Sequence, residues 1–305
     1  MRVAVADIGS NSTRLLVAQV DDGRVTDELE RRSTVTRLGA GVDSDGRLRD
    51  DAIERTLTTL DAYRELIDKH GGVDKGVAVL TSAVRDASNG GEFAQTVRDR
   101  YGLEPHVLTG DQEAGLSFLG ATSERDPDDH TPTVVIDIGG GSTELIIGRG
   151  HEVEFHVSNQ AGVVRQTERH IHNDPPTEQE LDNLATDVRS ILESNVPPEH
   201  REAVGRAIAV AGTATQLAAI AQALEPYDPA KVHGYVLSAD ERDEIGARLA
   251  AKTLEQREQV PGMDPARAPT IVAGVVILTE VMRLFGLDEV EVSEHDILRG
   301  AALGL

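Results

Sequence analysis

Two Gly/Ser-rich loops are the parts of this sequence whose residue types best suit phosphate chemistry. The first lies in ADIGSNSTRLLV (6–17) and the second in VIDIGGGSTELII (135–147). Glycine lets backbone N–H groups approach a ligand closely, and clustered N–H groups bind anions. An aspartate precedes each loop, Asp7 in the first and Asp137 in the second. A carboxylate there suits Mg²⁺ or its bound waters better than it suits phosphate, so the pattern predicts binding of a phosphate chain with its metal.

The two loops repeat one pattern about 130 residues apart. An ordinary hairpin turn explains a single loop of this kind, but a matched pair indicates two copies of one domain topology. Each copy has the pattern of strand, tight loop and strand. We expect the two loops to clamp a phosphate chain across a cleft between two domains. The aligned pairs are Asp7 with Asp137, Gly9 with Gly139, Ser12 with Ser142, and Thr13 with Thr143.

Short β-branched runs alternate with segments of helical periodicity, and this alternation predicts a layered α/β fold. The polar stretch ATSERDPDDHTP (121–132) contains two prolines and is the predicted linker. We therefore expect one domain at 1–124 and a second at 125–305. Strands are predicted at Val3–Ala6, Arg14–Val20, Val77–Thr81, Thr133–Asp137, Thr143–Gly148, Glu152–Ser158 and Leu287–Val292. Helices are predicted at Asp51–His70, Glu92–Tyr101, Asp111–Ala121, Gly162–Ile171, Glu178–Glu193, Thr213–Ala223, Ala239–Leu254, Thr270–Phe285 and His295–Leu303.

The composition limits the partners and the compartment. Acidic residues number 53 against 30 basic ones, a formal net charge of -23, and such a surface repels duplex nucleic acid and anionic membranes. Only four of the basic residues are lysines, and an acid-rich, lysine-poor surface indicates a salt-adapted protein. The lack of cysteine excludes disulfides, thiolate nucleophiles and Cys-ligated zinc. No apolar run approaches the roughly 18 residues of a membrane span, so we expect a cytoplasmic protein.

The paired D-x-G-x-x-S/T hairpins resemble those of the actin, Hsp70 and hexokinase superfamily, in which two ribonuclease-H-like domains surround a phosphate-binding cleft. Finer motifs closely resemble the exopolyphosphatase and guanosine pentaphosphate phosphohydrolase family. They occur in one order and extend over nearly the whole chain. The matching motifs are SNSTRL (10–15), LTSAVRDASN (80–89), LTGDQEAGLSFLG (108–120), DIGGGSTEL (137–145), VAGTATQLAAIA (210–221), VHGYVLS (232–238), RAPTIVAG (267–274) and VSEHDILRG (292–300).

This resemblance implies a role for each matching residue. Glu113 matches the general base that activates water, and Arg85 and Arg14 match basic residues that reach the phosphates. Gly212 and Thr213 match a loop that faces the nucleotide position in kinase relatives. The acidic residues implied around Mg²⁺, or another divalent cation, are Asp137 and Glu144, to which the chemistry of the first loop adds Asp7. The implied phosphate-binding residues are Ser10, Asn11, Ser12, Thr13, Gly139, Gly140, Gly141, Ser142 and Thr143, together with Gly212 and Thr213.

The expected reaction is hydrolysis of a linear phosphoanhydride, which needs in-line water, a base and cations on the phosphate oxygens. The expected substrate is inorganic polyphosphate, from which terminal orthophosphate is removed. Guanosine pentaphosphate is the alternative substrate, and an actin-like ATPase or kinase and a non-enzymatic scaffold are further alternatives. The single Gly212, where nucleotide-binding relatives usually carry Gly-Gly, argues against a kinase, and Glu113 argues against a scaffold. A homodimer is also expected.

Two histidine motifs receive no metal role from the sequence. The pair His295-Asp296 spells the HD dipeptide of metal phosphohydrolases, but no His-rich helix precedes it. The pair His170 and His172 could lie on one side of an extended segment, but no third ligand accompanies it in the sequence. We therefore interpret both histidines of this second pair as exposed polar residues.

The net charge of -23 predicts a dependence of stability on salt. In dilute buffer, like-charge repulsion weakens the fold and repels a polyanionic substrate, and both effects fall as the Debye length shrinks from about 10 Å at 0.1 M to about 3 Å at 1 M salt. We expect Tm and kcat/KM to rise together when both are measured from dilute to molar KCl. A Tm that does not change with KCl would contradict the salt adaptation. A rising Tm with falling activity would show that the main effect of salt on catalysis is to screen the attraction between the basic residues and the substrate.

Overall fold

The computed structural model describes residues 1–126 and 128–305, so Pro127 in the predicted linker lies outside the described residues. The chain forms two compact units. Unit 1 consists of Met1–Ser123 together with Asp296–Leu305, and unit 2 consists of Glu124–His295. The sequence predicts one domain at 125–305. This needs a correction, because the last segment of the chain packs within the core of unit 1.

Unit 1 is built on a mixed sheet. Its strands are β1 (Arg2–Ile8), β2 (Ser12–Asp21), β3 (Arg24–Val35), β4 (Lys75–Leu80) and β5 (Glu104–Val107). Its helices within 1–123 are α1 (Val42–Asp45), α2 (Asp50–Lys69), α3 (Ser82–Asp86), α4 (Gly90–Tyr101) and α5 (Gly110–Thr122). The strand order is β3-β2-β1-β4-β5. The first three strands form an antiparallel meander, and β4 and β5 run parallel to β1.

The apolar run of β1 lies in the middle of this sheet because both of its faces are buried. Ala4, Ala6 and Ile8 pack into one hydrophobic core, whereas Val3 and Val5 pack into another on the opposite face. A strand with two buried faces needs an almost continuous apolar sequence. This burial fixes the position where β1 ends and the first Gly/Ser loop begins.

The sequence does not predict β3, because charged residues dominate it. This strand is at the edge of the sheet, where one side faces solvent and few apolar residues are needed. The local sequence feature that indicates a hairpin here is the dipeptide Asp22-Gly23. It forms the turn between β2 and β3, with φ angles of 49° and 71°. Two-residue hairpin turns of this type require a positive φ at both positions and favour Asp-Gly.

Unit 2 contains a second mixed sheet, with the order β10-β11-β9-β6-β7-β8. Its strands are β6 (Thr133–Ile138), β7 (Thr143–Arg149), β8 (Glu152–Asn159), β9 (Arg206–Val210), β10 (Val236–Ser238) and β11 (Glu289–Val292). Its helices are α6 (Val163–His170), α7 (Glu178–Asn195), α8 (Pro198–Arg201), α9 (Ala211–Ala221), α10 (Pro229–Val232), α11 (Ala239–Ala250), α12 (Leu254–Glu258) and α13 (Ile271–Phe285).

The two units share one strand topology. In each, three antiparallel strands are followed by a fourth that runs parallel to the first, as β4 does beside β1 and β9 does beside β6. The α/β fold with two copies of one topology is therefore confirmed. Within the described ranges, no helix is both long and apolar enough to cross a membrane.

The C-terminal helix, α14 (Ile297–Leu303), packs against α5 within unit 1. A Cβ atom added to Gly120 would overlap the carbonyl group of Asp296, and one added to Gly300 would overlap the carbonyl group of Leu116. The backbones of the two helices are therefore in direct contact at this crossing. Because α5 also carries Glu113, the C-terminal segment supports the helix that bears the predicted base.

We expect Gly300→Ala to lower the free energy of unfolding by about 1–3 kcal/mol, because the new methyl group overpacks the contact with α5. Gly304→Ala is the matched control, since a Cβ atom there would meet its nearest neighbour at an ordinary 3.5 Å. Denaturant unfolding of both variants checks this prediction. Equal stabilities for the two variants would contradict the close packing of α14 on α5.

Candidate active site

The first Gly/Ser loop joins β1 to β2, and the segment that follows β3 holds its backbone carbonyls. The Ser10 carbonyl accepts a hydrogen bond from the Gly39 amide at 2.8 Å, and the Asn11 carbonyl accepts one from the Thr36 amide at 3.0 Å. In a trans peptide, each N–H group points opposite to the C=O group of the preceding residue. The amides of Asn11 and Ser12 therefore point away from the supporting segment.

The second loop, between β6 and β7, is held in the same way by the first turn of α6. The carbonyls of Gly139, Gly140 and Gly141 accept hydrogen bonds of 2.9–3.1 Å from the amides of 162–164. By the same peptide geometry, the amides of Gly140, Gly141 and Ser142 point away from α6. Consecutive amides with this orientation form a concave, partly positive surface that suits an anion.

Glycines allow both supporting segments to approach their loops. A Cβ atom on Gly162 would overlap the backbone of Gly140, and a Cβ atom on Gly39 would lie 2.8 Å from the Cβ of Ser10. The sequence pattern does not indicate a role for Gly39, and Gly162 is predicted only as the start of a helix. These contacts join residues that are distant in the chain. The parallel between the two glycines extends the internal repeat beyond the loops themselves.

The threonine that ends each loop has its side chain in the interior of its own unit. The Thr13 hydroxyl lies 2.9 Å from the Thr36 hydroxyl, and the Thr143 hydroxyl donates to the Ala161 carbonyl at 2.7 Å. Both threonines are completely buried. Their hydroxyls therefore hold the supporting segments, and phosphate binding by Thr13 and Thr143 stays a prediction.

Arg14 donates hydrogen bonds to two buried carboxylates. Its Nε donates to Asp7 Oδ2 at 2.8 Å, and its Nη1 donates to Asp296 Oδ2 at 2.5 Å. Burial alone would raise the pKa of Asp296, but the charges of Arg14 and Arg31 outweigh burial and lower it. Arg14 therefore ties β1 and β2 to the start of α14, and its contact with a phosphate stays a prediction.

Asp7 has a restricted capacity to bind a metal. Its Oδ2 accepts hydrogen bonds from Arg14, while its Oδ1 is buried with no hydrogen-bond partner in the described part of the chain. Burial raises the pKa of Asp7, although Arg14 acts in the opposite direction. A cation next to the Arg14 guanidinium would meet like-charge repulsion, so Asp7 fits the predicted metal role poorly.

Asp137 and Glu144 form a second acidic site at the other loop. They are directly opposite each other on β6 and β7, so their side chains lie on the same face of the sheet. Glu144 Oε1 accepts hydrogen bonds from the hydroxyls of Ser142 at 2.6 Å and Ser158 at 2.8 Å. Burial raises the pKa of Glu144, and these hydrogen bonds offset part of that shift. Two like charges facing each other in a sheet repel, and their oxygen donors fit a hard divalent cation such as Mg²⁺.

Glu113 lies in the first turn of α5, where a capping box fixes the start of the helix. The Thr109 hydroxyl accepts a hydrogen bond from the Gln112 amide, and the Gln112 side chain accepts one from the Thr109 amide. Glu113 Oε2 lies 3.8 Å from Arg85 Nη1, and the two side chains are 31% and 34% exposed. The predicted base is therefore accessible to water and held beside a cation.

Arg85 connects Glu113 to the first loop. It lies on α3, where its Nη1 donates to the Leu108 carbonyl at 2.9 Å and its Nε contacts Asp86 at 3.3 Å. Ser82, on the same short helix, has its hydroxyl 3.1 Å from the hydroxyl of Ser10. The loop, the arginine and the glutamate therefore form one continuous surface of unit 1.

Gly212 and Thr213 lie at the junction between β9 and α9. Thr213 is buried, and a Cβ atom on Gly212 would overlap the guanidinium of Arg267. The preceding Ala211 has a φ of 62°, a left-handed conformation that costs a non-glycine residue roughly 1–2 kcal/mol. Backbone strain of this kind often marks a functional site. The sequence analysis includes Arg267 only as part of a family motif and does not predict this contact.

The predicted histidines occupy separate places, and the expectation that both His170 and His172 are exposed is wrong for His170, whose side chain is only 16% exposed. His170 Nε2 lies 3.1 Å from Asp187 Oδ2, whereas the His172 backbone amide donates to Glu180 Oε1 at 2.9 Å. Four hydrogen bonds from backbone and side-chain groups around it lower the pKa of Glu180 to about 2. His295 is buried and packs against the ring of His233.

Two ribonuclease-H-like units that carry matched Gly/Ser loops define a protein of the actin-like superfamily. Residues 16–303 match the sequence model of the Ppx/GppA phosphatase family. The chain therefore belongs to this family. A relative named Exopolyphosphatase 2, from Mycobacterium tuberculosis, is 40% identical over 316 residues, with 100% of this chain and 98% of the relative covered.

Solved structures of the same family agree with the fold. The Ppx/GppA family member of Aquifex aeolicus is 34% identical with a TM-score of 0.86, covering 100% of this chain and 97% of that chain. An exopolyphosphatase from Cytophaga hutchinsonii is 28% identical with a TM-score of 0.83, covering 100% of this chain and 98% of that chain. The family resemblance noted in the sequence is therefore confirmed.

We expect Thr143→Val to lower the free energy of unfolding by about 1–3 kcal/mol, because it leaves the buried Ala161 carbonyl without its hydrogen bond. Thr143→Ser retains the hydroxyl and serves as the control, with a smaller loss from the missing methyl group. Thermal unfolding and substrate KM of both variants check the prediction. Unchanged stability with a large increase in KM for Thr143→Val would show instead that this hydroxyl contacts the substrate.

Proposed function

We propose that this protein removes terminal orthophosphate from linear inorganic polyphosphate, with Glu113 as the general base. The observation that carries this proposal is the arrangement within unit 1. The Ser10 hydroxyl contacts Ser82, one turn of α3 leads to Arg85, and Arg85 Nη1 lies 3.8 Å from Glu113 Oε2. A phosphate on the loop would therefore have a cation and a carboxylate nearby.

Glu113 would accept a proton from the water that attacks the terminal phosphorus. The new P–O bond forms as the anhydride bond to the next phosphate breaks, and the shortened chain departs. The contact with Arg85 orients the Glu113 carboxylate, and its position in the first turn of α5 is the favourable end of the helix dipole for an anion. A positioned carboxylate of this kind typically contributes about 10²–10⁴-fold to the rate.

Each loop would bind phosphate through its backbone. The amides of Asn11 and Ser12 in one loop, and of Gly140, Gly141 and Ser142 in the other, are oriented away from their supporting segments. Backbone donors of this kind bind phosphate without a bulky side chain in the way. Arg85 Nη2, which is not used in the hydrogen bonds described above, would neutralise further charge.

We further propose that Asp137 and Glu144 hold the catalytic divalent cation. The cation, when bound, would neutralise charge on the phosphate oxygens. The Ser142 and Ser158 hydroxyls would keep the Glu144 carboxylate oriented while it holds the ion, since both donate to Oε1. Asp7, already engaged by Arg14, is left out of this set.

A linear phosphate chain is preferred over a nucleotide because of the surroundings of Gly212. The sequence resemblance implies that this loop faces the nucleotide position in kinase relatives, and here the Arg267 guanidinium covers it. A guanidinium suits phosphate oxygens as a partner. The relative named Exopolyphosphatase 2 supports the same substrate, with guanosine pentaphosphate as the competing possibility for assay.

We predict that Glu113→Gln reduces kcat for polyphosphate hydrolysis by about 10²-fold or more, because the amide cannot accept the proton. Asp111→Asn, which removes another acidic residue from the same helical turn, is the control and should retain most activity. Phosphate release and thermal unfolding of both variants check the result. A Glu113→Gln variant with over half of the wild-type kcat would rule out Glu113 as the base.

We predict that Asp137→Asn and Glu144→Gln each raise the Mg²⁺ concentration needed for half-maximal activity, because each removes a charged oxygen donor. Glu154→Gln is the control, since Glu154 lies on the neighbouring strand β8, where its exposed side chain pairs with Arg149. Metal titrations of phosphate release compare the three variants. Identical Mg²⁺ titrations for wild type and the first two variants would exclude this site.

A further inference from the structure

Two histidines and one glutamate converge within unit 2, away from both Gly/Ser loops in the sequence. Glu124 Oε2 lies 3.3 Å from His233 Nε2, and Glu124 Oε1 lies 3.9 Å from His295 Nδ1. One ligand atom from each of these three residues lies within 4.8 Å of the others. The sequence analysis gives His295 no metal role because it lacks a histidine partner nearby in the chain. The fold supplies that partner, His233.

We propose that Glu124, His233 and His295 bind a transition-metal ion of the Zn²⁺ type. Two imidazole nitrogens and one carboxylate form a common protein donor set for Zn²⁺, and imidazole ligands favour Zn²⁺, Co²⁺ or Ni²⁺ over Mg²⁺. This site therefore differs in its metal from the acidic pair at Asp137 and Glu144. A chain without cysteine has to build such a site from histidine and carboxylate ligands.

The distances need only a small adjustment. Ligand atoms about 2.0–2.2 Å from a tetrahedral Zn²⁺ are about 3.3–3.6 Å from one another. The contact between Glu124 and His233 already has this separation, and the remaining contacts, which all lie within 4.8 Å, have to shorten by at most about 1.5 Å. Glu124 can supply the movement in its own contacts, since its side chain is 56% exposed, whereas the His295 side chain is 11% exposed and stays in place.

The second nitrogen of His233 also has a partner for the metal-bound form. When Nε2 binds a metal, Nδ1 carries the proton and needs an acceptor. The Ser293 hydroxyl oxygen lies 3.4 Å from Nδ1 and can accept a hydrogen bond from this N–H group. The Glu294 amide also points at Nδ1 from 3.3 Å, so metal binding exchanges that long hydrogen bond for the one to Ser293.

The location gives such an ion a structural consequence. Glu124 is the first residue of unit 2 and His295 is the last, so a shared metal would fasten the two ends of this unit to each other. Since a metal that binds only the folded form stabilises it by mass action, unit 2 should unfold at a higher temperature when the ion is present.

The test uses the full-length protein, treated with a chelator and then titrated with Zn²⁺ by calorimetry in millimolar Mg²⁺, which occupies hard-cation sites. Co²⁺ in place of Zn²⁺ should give the visible absorption of a low-symmetry histidine site. We expect one ion per chain and a rise in Tm. Glu124→Gln and His233→Gln should each weaken the Zn²⁺ affinity at least about tenfold, whereas His170→Gln, a histidine paired with Asp187, should leave it unchanged.

The two ligand variants avoid His295, whose burial makes its replacement a risk to folding, and a cooperative thermal unfolding transition of each metal-free variant checks that it is folded. Absence of saturable Zn²⁺ binding in the wild type would overturn the proposal. The same Zn²⁺ affinity in the wild type, Glu124→Gln and His233→Gln would overturn it equally, because the ion would then bind elsewhere.

Discussion

The orientation of both Gly/Ser loops depends on hydrogen bonds between their carbonyl groups and a supporting segment that returns after the third strand of each unit. Once those carbonyls are fixed, peptide planarity directs the following amides the other way. In unit 2 the same hydrogen bonds also satisfy the first amides of α6, which have no partners within the helix. The support thus stabilises a helix start and forms an anion-binding surface at the same time. It requires Gly39 in one unit and Gly162 in the other, where a side chain would collide.

A second constraint acts within unit 1 through Arg14. This arginine bridges Asp7 at the end of β1 and Asp296 at the start of α14. Removing one partner of a buried ion pair typically costs about 3–5 kcal/mol, because the other charge is left uncompensated. The pair therefore keeps the C-terminal helix against the sheet, and that helix in turn packs on α5 beside Gly120. The residue that resembled a phosphate ligand in the sequence contributes to the site by holding its framework.

The sequence could predict the features that depend on residues close together in the chain. The Gly/Ser composition located both loops, and the helical periodicity predicted the helix at Asp111–Ala121, which corresponds to α5. Long-range contacts were not predictable: Arg14 and Asp296 are separated by 282 positions, and no periodicity links them. The side chains of Thr13 and Thr143 could not be assigned either. In each loop a serine and a threonine are adjacent, and both are polar. Their sequence therefore does not indicate which of the two side chains is buried, because this depends on long-range packing.

The central claim is that this framework serves hydrolysis of the terminal phosphate of a linear polyphosphate. The most direct test measures kcat/KM for orthophosphate release from long-chain polyphosphate, guanosine pentaphosphate and ATP, under the same Mg²⁺ and KCl concentrations. The account predicts the highest value for polyphosphate, with orthophosphate as the small product from the earliest time points and gradual shortening of the chain. A higher kcat/KM for guanosine pentaphosphate or ATP, or cleavage of polyphosphate in the middle of the chain, would contradict it.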